Sequence, residues 1–374
     1  MDLVVISLEA WDEVRRRNQH LIDGLLGADP GLRVLFVEPA QDPLHAARRR
    51  RAPRRGRGLR PAGPSDSQHW QHLWLLEPTK WLPRRIAPES DGRWARHVVR
   101  TARRIGFDRP VLWVNAPDGA ALLRLTSWPT LYDITDDWLA ARRSPRELAR
   151  LAANERTLLA EAAEVIVCSP QLQRVKGRDR RVELVPNAAD LAAYAGPLPA
   201  PTDLPAGPVV LYAGTLHTDR LDVDLVRATA AELAAVATVV LVGPDALDPA
   251  SRASLAGAGV AILGARAASS VPGYLLHADV LLVPHVVDDF TAALDPIKRY
   301  EYEAARRPVV STPVAGFVDS PAATIAEGAG FPAAVRRALQ TPHPVAGPTG
   351  VDWADRVRQV SALLERVGTA QAAG

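Results

Sequence analysis

The segment 295–310 contains the residues whose types and spacing best suit chemistry. It reads Asp-Pro-Ile-Lys-Arg-Tyr-Glu-Tyr-Glu-Ala-Ala-Arg-Arg-Pro-Val-Val. Asp295 suits an N-cap and Pro296 a first helical position, so the segment predicts a helix whose start attracts anions. Lys298 and Glu301 share a face of that helix because they are one turn apart. One ligand that offers both phosphate and sugar hydroxyls would satisfy this pair.

An ordinary intrahelical salt bridge between Lys298 and Glu301 is the alternative interpretation. The apolar run Pro-Val-Val-Ser directly after the helix predicts a strand. Ligands of open α/β sheets gather where strand ends meet helix starts. This context favours a ligand site.

A second candidate site lies in the segment Leu-Tyr-Asp-Ile-Thr-Asp-Asp-Trp at 131–138, just past a predicted strand end. Crowded carboxylates raise one another's pKa, which suits a general base that deprotonates a sugar hydroxyl. One of these carboxylates is a candidate for such a base, and the choice of Asp133 or Asp136 is implied by the family resemblance given below. Alternatively, Asp136 and Asp137 cap the following helix.

Three histidines, His20, His217 and His285, are alternative bases. No spacing of His, Cys and carboxylates is typical of a metal site, so we expect no metal cofactor.

These sites must be positioned by a chain of 374 residues, a length that suits two domains. The composition, 47% hydrophobic and 23% charged, is that of a soluble globular enzyme. Cys168 is the single cysteine, which excludes a disulfide framework and favours a reducing compartment. No signal-peptide pattern and no long apolar run is recognised in the sequence, so we expect a cytoplasmic protein, with the inner face of the membrane as its candidate place of action.

Short apolar runs alternate with amphipathic helical segments, as in parallel sheets with helices on both faces. The first predicted sheet uses Leu3–Leu8, Arg33–Glu38, His72–Leu76, Val111–Asn115, Thr130–Asp133, Val165–Cys168 and Val182–Val185. The second uses Val209–Tyr212, Thr238–Val242, Ala261–Leu263, Val280–Val283 and Val309–Ser311.

A stretch rich in Pro and Gly, Tyr194–Pro208, separates the two sheets. We therefore predict an N-terminal domain at 1–195, a C-terminal domain at 207–350, and a crossover helix and tail at 351–374. The helix should pack back on the N-terminal domain.

Charge is distributed unevenly: residues 1–190 hold 32 Lys+Arg against 24 Asp+Glu, and the remainder 13 against 18. An anionic partner for the first half is implied, either an acidic lipid surface, a lipid-pyrophosphate acceptor or nucleic acid. Arg48, Arg51 and Arg54 belong to the arginine-rich segment Arg48–Pro64, which predicts a mobile solvated loop, a membrane-binding element, or both. Arg15 is a further basic candidate on the acceptor side. No nucleic-acid motif or interleaved aromatic residue supports nucleic-acid binding.

The chain resembles the GT-B fold glycosyltransferases. The segment 295–313 is similar to their Asn-Pro-x-Lys-x-x-Glu-Tyr-x-Ala-x-Gly-x-Pro-Val-Val stretch. Within the family, the sequence most resembles bacterial transferases of polysaccharide and teichuronic acid assembly. Val-Pro-Asn-Ala-Ala-Asp at 185–190, Leu-Tyr-Ala-Gly-Thr-Leu at 211–216 and Leu-Val-Gly-Pro at 241–244 follow the family's order. The resemblance implies two Rossmann-like, doubly wound α/β domains that face each other across a cleft.

The resemblance also implies roles for individual residues. Lys298 would bind the donor diphosphate and Glu301 the ribose, while Gly214 and Thr215 would bring backbone amides close to phosphate. Further donor contacts are implied for Arg220, His217, Gly264 and Arg266.

The sequence departs from the family at three places. The family's first glutamate, which touches the sugar ring, is replaced by Ala293, so sugar recognition is assigned to Asp288, Asp289 or Asp295. Arg306 and Arg307 stand where a glycine is usual after the helix. The glycine pair after the first strand is absent, and Arg15–Arg17 follow instead.

The expected activity is transfer of a sugar from a nucleoside-diphosphate sugar to a hydroxyl acceptor, which could be a polysaccharide, a lipid-linked glycan or a specialised metabolite. A sugar-nucleotide epimerase or hydrolase of the same fold, or a non-catalytic module that binds an anionic ligand, are the alternatives. Release of free sugar, or of a changed nucleotide sugar, without an acceptor would indicate the hydrolase or epimerase. Salt-sensitive binding of nucleic acid without affinity for nucleotide sugars would indicate the binding module.

Overall fold

The structure is a computed structural model that describes residues 1–12, 14–48, 52–63, 68–81, 87, 89–141, 143–288, 293–341 and 349–369. The chain forms two compact units. The first comprises Met1–Asp12, Arg16–Pro186 and Ala354–Gly374, and the second comprises Glu13–Arg15 and Asn187–Trp353.

The first unit is built on an eight-stranded sheet. Its strands are β1 (Asp2–Ile6), β2 (Arg33–Val37), β3 (Gly58–Pro61), β4 (Leu73–Glu77), β5 (Val111–Val114), β6 (Thr130–Ile134), β7 (Glu164–Val167) and β8 (Glu183–Leu184). They lie in the order β3-β4-β2-β1-β5-β6-β7-β8, with β3 antiparallel to β4 and the other pairs parallel. Strand β5 is buried along its whole length, as expected for a parallel strand covered on both faces.

The helices that connect these strands are α1 (Arg17–Ala28), α2 (Pro43–Arg48), α3 (Ser90–Arg104), α4 (Ala120–Leu123), α5 (Pro145–Glu161) and α6 (Pro170–Lys176). Local sequence explains where α5 and α6 begin. Each has proline in its first turn, and the hydroxyls of Ser144 and Ser169 accept hydrogen bonds from the backbone amides of Glu147 and Leu172. These are favourable helix starts.

The second unit contains a six-stranded parallel sheet and a separate two-stranded one. Its strands are β9 (Val209–Ala213), β10 (Leu216–His217), β11 (Thr238–Val242), β12 (Asp245–Ala246), β13 (Ala261–Gly264), β14 (Val280–Val283), β15 (Val309–Ser311) and β16 (Ala323–Ile325). Its helices are α7 (Val223–Leu233), α8 (Pro249–Gly257), α9 (Val271–Leu276), α10 (Ile297–Ala305) and α11 (Gly330–Ala338).

The larger sheet of the second unit has the order β13-β11-β9-β14-β15-β16. Numbered along the chain, this is the Rossmann order, whose topological switch point lies between the first and fourth strands. Both faces of the sheet are buried. On one face Leu211 packs in a cluster with Tyr302 of α10, and on the other Val210 packs with Phe331 of α11. The sheet is therefore doubly wound, as predicted.

The last helix, α12 (Trp353–Thr369), belongs to the first unit. Its apolar face is buried and contacts α1 so closely that a Cβ on Gly24 would lie 2.4 Å from Val357 Cγ2. Gln359 Nε2 also donates a hydrogen bond to the carbonyl of Leu184, at 3.1 Å. The prediction that this helix packs on the N-terminal domain is confirmed.

The boundary between the units lies earlier than the predicted 195. The first unit ends at Pro186, and Asn187 already belongs to the second, where its amide donates to a carboxylate oxygen of Asp295 at 2.6 Å. Ala189 then pairs with Asp352 through a parallel bridge. These long-range hydrogen bonds attach the segment before the linker to the second unit.

The arginine-rich segment is ordered by two buried carboxylates. Over 52–63 it includes β3, and Arg54 and Arg57 bind Glu77 at 2.8 and 2.9 Å, while Arg60 binds Glu38 at 2.6 Å. The side chains of both glutamates are only 1% exposed. Burial raises the pKa of Glu77, but hydrogen bonds from Arg57 and the charge of Arg54 outweigh it and lower the pKa.

The prediction of a mobile solvated loop is therefore wrong for 52–63. A buried carboxylate needs a partner, and these arginines supply it. Arg51 lies outside the described residues, and so does the side chain of Arg48, the last residue of α2.

Each strand predicted from the sequence is present, with ends that differ by at most two residues. The sequence did not predict β3, β10, β12 or β16. Strand β3 reads Gly-Leu-Arg-Pro and shows no alternation, and β16 has only three residues, of which the last two are exposed. Such strands are formed by pairing with a neighbour, which a local pattern does not reveal.

Helix α10 ends in an unusual backbone conformation. Arg306, its C-cap, has φ 54° and is the one non-glycine residue with positive φ in the described part of the chain. This left-handed conformation is costly for a residue with a Cβ and is usually taken by glycine. The resemblance had already marked this position as one where glycine is usual.

We expect Arg306→Gly to be more stable than Arg306→Ala by about 1 kcal/mol. Both variants lose the same side-chain contacts, so the comparison isolates the backbone conformation. Urea unfolding of the two variants, followed in parallel, measures the difference. Equal stabilities would show that the left-handed conformation carries no strain.

Candidate active site

Lys298 lies on the first turn of α10, at the carboxyl edge of the second unit's sheet. Its Nζ is 4.0 Å from the centroid of the Tyr212 ring and 3.5 Å from Nε2 of His285. No ion-pair partner is found for it among the residues that the structure describes. Burial lowers the pKa of Lys298 to about 7, with the charge of Glu301 opposing the shift and that of Arg220 adding to it.

Glu301 lies one turn further along the same helix. Burial raises the pKa of its carboxyl, and the Lys298 ammonium opposes this shift. The two groups influence each other electrostatically but form no ion pair within 4.0 Å. The alternative of an intrahelical salt bridge is therefore wrong, and both groups stay available to a ligand.

His285 follows strand β14 and contacts the same lysine. Its Nε2 is 3.0 Å from Tyr212 Oη, and its backbone is fixed by Thr312, whose hydroxyl donates to the His285 carbonyl at 2.8 Å. Burial lowers the pKa of His285 to about 2, and the charges of Lys298 and Arg220 act in the same direction. A base this weak is poorly suited to deprotonating a sugar hydroxyl, which argues against the alternative assignment of His285.

Three glycines lie at the ends of neighbouring strands at this edge: Gly214 follows β9, Gly243 follows β11, and Gly264 is the last residue of β13. A Cβ on Gly214, whose φ is 151°, would lie 2.6 Å from Lys298 Nζ, and a Cβ on Gly243 would lie 2.0 Å from the carbonyl oxygen of Gly214. The Gly243 amide in turn donates to the carbonyl of Gly264 at 2.9 Å. The backbone here approaches both itself and the ammonium at distances that only glycine allows.

The start of α10 differs from the prediction by one residue. The helix begins at Ile297 with Pro296 at the N-cap, so the prediction of Asp295 as N-cap is wrong. The Asp295 carboxylate instead accepts hydrogen bonds from the Asn187 amide at 2.6 Å and from Tyr300 Oη at 2.9 Å.

The three aspartates predicted to recognise the sugar differ in their surroundings. Asp295 is occupied by these two contacts, Asp289 lies outside the described residues, and Asp288 is partly buried. Ala293, at the position of the family's first glutamate, is buried.

Of the other predicted donor contacts, the structure places one near Lys298 and leaves two exposed. The charge of Arg220 acts on Lys298 and His285, so Arg220 lies near the lysine, whereas Thr215 and His217 are exposed. His217 Nδ1 lies 3.5 Å from a carboxylate oxygen of Asp219.

Arg266 is held within its own unit. Its Nε donates to Tyr274 Oη at 2.8 Å, its Nη1 donates to the Leu263 carbonyl at 2.6 Å, and its Nη2 pairs with Asp203. The guanidinium thus fastens the start of the second unit to the segment after β13, a structural role that the sequence did not suggest.

Asp133, a predicted base, is fully buried in the first unit. Its two carboxylate oxygens accept hydrogen bonds from Arg17 Nε and Nη2 at 3.2 and 3.3 Å, and Trp113 Nε1 donates to one of them at 3.3 Å. Arg17 is 5% exposed and Asp133 is 0% exposed. This geometry is that of a structural ion pair and argues against Asp133 as the base.

Asp137 is also held by a partner: Lys176 Nζ contacts Asp137 at 3.0 Å and the buried Glu155 at 2.8 Å. The alternative that Asp136 or Asp137 caps the next helix is wrong, because α5 begins at Pro145 and is capped by Ser144.

Asp136 remains a candidate for the catalytic base. Glu9 is a second candidate, which the sequence analysis did not identify. Burial raises the pKa of Glu9 to about 7; Arg16 lowers it, and the nearby carboxylates of Asp136 and Asp12 raise it. Asp136 accepts a hydrogen bond from Thr135 Oγ1 at 3.0 Å. Glu9 follows β1 as Asp136 follows β6, so the carboxyl-edge rule could have identified it.

The described residues contain no group of three or more His, Cys, Asp or Glu that could hold a metal ion. Nor do their helices include one long and apolar enough to cross a membrane.

Comparison with known proteins gives independent information about the family of this chain. Residues 207–341 match the family model of glycosyl transferases group 1. The chain carries a group 1 glycosyltransferase domain. A search of curated proteins found no match.

Solved structures resemble the whole chain. HepE from Anabaena in complex with UDP and glucose is 15% identical, with a TM-score of 0.63 over 100% of this chain and 98% of that one. A trehalose-6-phosphate structure from E. coli bound with UDP-2-fluoro glucose is 12% identical, with a TM-score of 0.62 over 99% and 96%. A glycosyltransferase from Rickettsia africae is 10% identical, with a TM-score of 0.58 over 98% of each chain. The predicted GT-B fold is confirmed.

We expect Asp133→Asn to destabilise the first unit by about 3–5 kcal/mol, because it removes the charge that Asp133 places beside the buried Arg17 guanidinium. Replacing both partners, in Arg17→Met with Asp133→Leu, should recover much of this loss. Asp136→Asn, at a position that is only partly buried, should change stability less, by about 1 kcal/mol. Chemical unfolding measures all three. Full stability of Asp133→Asn combined with lost activity would instead return Asp133 to the catalytic candidates.

Proposed function

We propose that the protein transfers a sugar from a nucleoside-diphosphate sugar to a hydroxyl acceptor. The observation that carries the proposal is the Lys298 ammonium, partly buried, without an ion-pair partner among the described residues, and beside a glycine backbone at the switch point of a Rossmann sheet. A diphosphate is the ligand that best compensates such a charge.

In this proposal Lys298 binds the diphosphate and Glu301 the ribose hydroxyls. The backbone amides of Gly214 and Thr215 approach the phosphates, and Arg220 adds a second positive charge nearby. As the bond to the sugar breaks, negative charge grows on the leaving diphosphate, and these fixed positive groups stabilise it without a metal ion. His217 and Gly264 border this region, whereas Arg266 is occupied by Asp203.

The acceptor hydroxyl requires a group that receives its proton. We propose Asp136 or Glu9, since these carboxylates lie near each other at the carboxyl edge of the first sheet and repel each other's charge. A carboxyl that titrates near neutral pH is suited to this task.

Uridine is the favoured base of the donor, because two of the similar structures hold UDP or a UDP sugar. Calorimetric titration with UDP, GDP and dTDP sugars tests the proposal. Binding of one sugar nucleotide, lost in Lys298→Ala, supports it, and binding of none contradicts it. Transfer to an added acceptor, rather than release of free sugar or a changed nucleotide sugar, distinguishes a transferase from a hydrolase or epimerase.

The affinity for a UDP sugar should fall as the pH rises above about 7, by up to about tenfold per pH unit. The free protein then loses the Lys298 proton, whereas a bound diphosphate raises the pKa of the lysine and retains it. A UDP sugar is the suitable probe because its diphosphate does not titrate in this range. Lys298→Arg, which stays charged, should bind with little pH dependence over the same range. A flat profile for the unmodified protein would remove the lysine from the site.

We further propose that the acceptor is lipid-linked and that the protein works at the cytoplasmic face of a bacterial membrane, in polysaccharide assembly. Arg54, Arg57 and Arg60 are paired with Glu38 and Glu77, which offset most of their charge. Trp81 is 53% exposed, however, and the Arg55 guanidinium lies 4.7 Å above its ring. Exposed tryptophan and arginine together suit an anionic lipid surface.

Co-sedimentation with vesicles tests this contact. The protein should bind vesicles that contain phosphatidylglycerol more strongly than neutral ones, and Trp81→Ala should weaken binding about tenfold, the effect of losing about 1–2 kcal/mol. Val236→Ala, at an exposed apolar position of the second unit, is the control and should bind normally. Equal binding to both kinds of vesicle would contradict the membrane assignment.

A further inference from the structure

The two central strands of the second unit separate before they end. Strands β9 and β14 pair at Val210↔Val280 and Leu211↔Leu281. Beyond this point β9 stays paired with β11 as far as Ala213, and β14 with β15 as far as Val283. The sheet therefore opens only between β9 and β14, at its switch point.

The hydroxyl of Tyr302 occupies this opening. The Ala213 amide donates to Tyr302 Oη at 3.0 Å, and Tyr302 Oη donates to the Leu282 carbonyl at 3.2 Å. In a regular parallel ladder such an amide donates directly to the carbonyl of the neighbouring strand. Here one oxygen atom is inserted between the two groups, and both keep a hydrogen bond.

Tyr302 is held firmly in this position. Its side chain is 1% exposed, and its ring packs edge-on against Phe317 with centroids 6.2 Å apart. The same helix carries Lys298 one turn earlier. Since Ala213 directly precedes Gly214, the hydroxyl also fixes the chain at the point where it passes the lysine ammonium.

We propose that Tyr302 is a positioning residue of the nucleotide site: its hydroxyl keeps β9 and β14 apart and places the Gly214 backbone at the correct distance from Lys298. Its action is indirect, through Ala213 and Leu282. The proposal rests on the proposed function in so far as the ligand is a nucleotide sugar.

Tyr302→Phe tests the hydroxyl alone, because the ring and its packing remain. Thr229→Val is a matched control in the same unit: it deletes a buried hydroxyl that donates to the Leu225 carbonyl within α7. Hydrogen exchange of the peptide covering 209–216 should be faster in Tyr302→Phe and unchanged in Thr229→Val. Unchanged exchange in Tyr302→Phe would overturn the proposal.

The second readout separates positioning from stability. In Tyr302→Phe the KM for the donor sugar should rise about tenfold, since a displaced backbone costs a contact to the diphosphate, while kcat at saturating donor is retained. Thr229→Val, with a comparable loss of stability, should keep the KM of the unmodified protein. An unchanged KM in Tyr302→Phe would reduce Tyr302 to a structural role.

The two proposals fail in distinguishable ways. If the unmodified protein binds no sugar nucleotide, the proposed function is wrong. If it binds one but Tyr302→Phe binds it equally well, only the positioning role is wrong.

Discussion

The candidate site of the second unit depends on an ammonium group that is partly buried and forms no ion pair with any residue that the structure describes. Lys298 faces the ring of Tyr212, and a cation above an aromatic ring gains about 2 kcal/mol when desolvated, less than burial of a full charge costs. The remaining cost appears as a pKa of about 7. The protein maintains this unfavourable arrangement, with glycine at 214 to make room for it. A ligand that brings negative charge would compensate it, which is why we interpret the strain as function.

The first unit shows that the chain otherwise compensates buried charges. Asp133 is paired with Arg17, and Glu155 with Lys176. Glu38 and Glu77 take up arginines from the segment that gives the N-terminal half much of its positive charge. Net charge along a sequence therefore overstates the charge available to a partner. Against this background the Lys298 ammonium, which has no ion-pair partner in the described ranges of the chain, is informative.

Much of the fold could be predicted because it depends on local patterns. The apolar runs of β9, β11 and β14 are buried on both faces and are recognised without knowledge of their neighbours. The donor candidates Lys298 and Glu301 could be found because both lie on one helix turn. Roles set by distant partners could not: Asp295 looked like an N-cap, but its carboxylate binds the amide of Asn187, more than a hundred positions away. Asp133 likewise looked like a base because its ion-pair partner, Arg17, is far from it in the sequence.

The two units share a strand order around their first strands yet treat their switch points differently. In the first unit, Asn18 Nδ2 donates to Asn115 Oδ1 at 2.9 Å, and Asn115 Nδ2 donates to the Asp133 carbonyl at 3.3 Å. These buried amides join α1 to the ends of β5 and β6. In the second unit the equivalent place holds Gly214 and an ammonium instead. Because the order of the central parallel strands is the same in both sheets, the difference lies in the side chains at the strand ends, and those of the second sheet support our proposal of a diphosphate there.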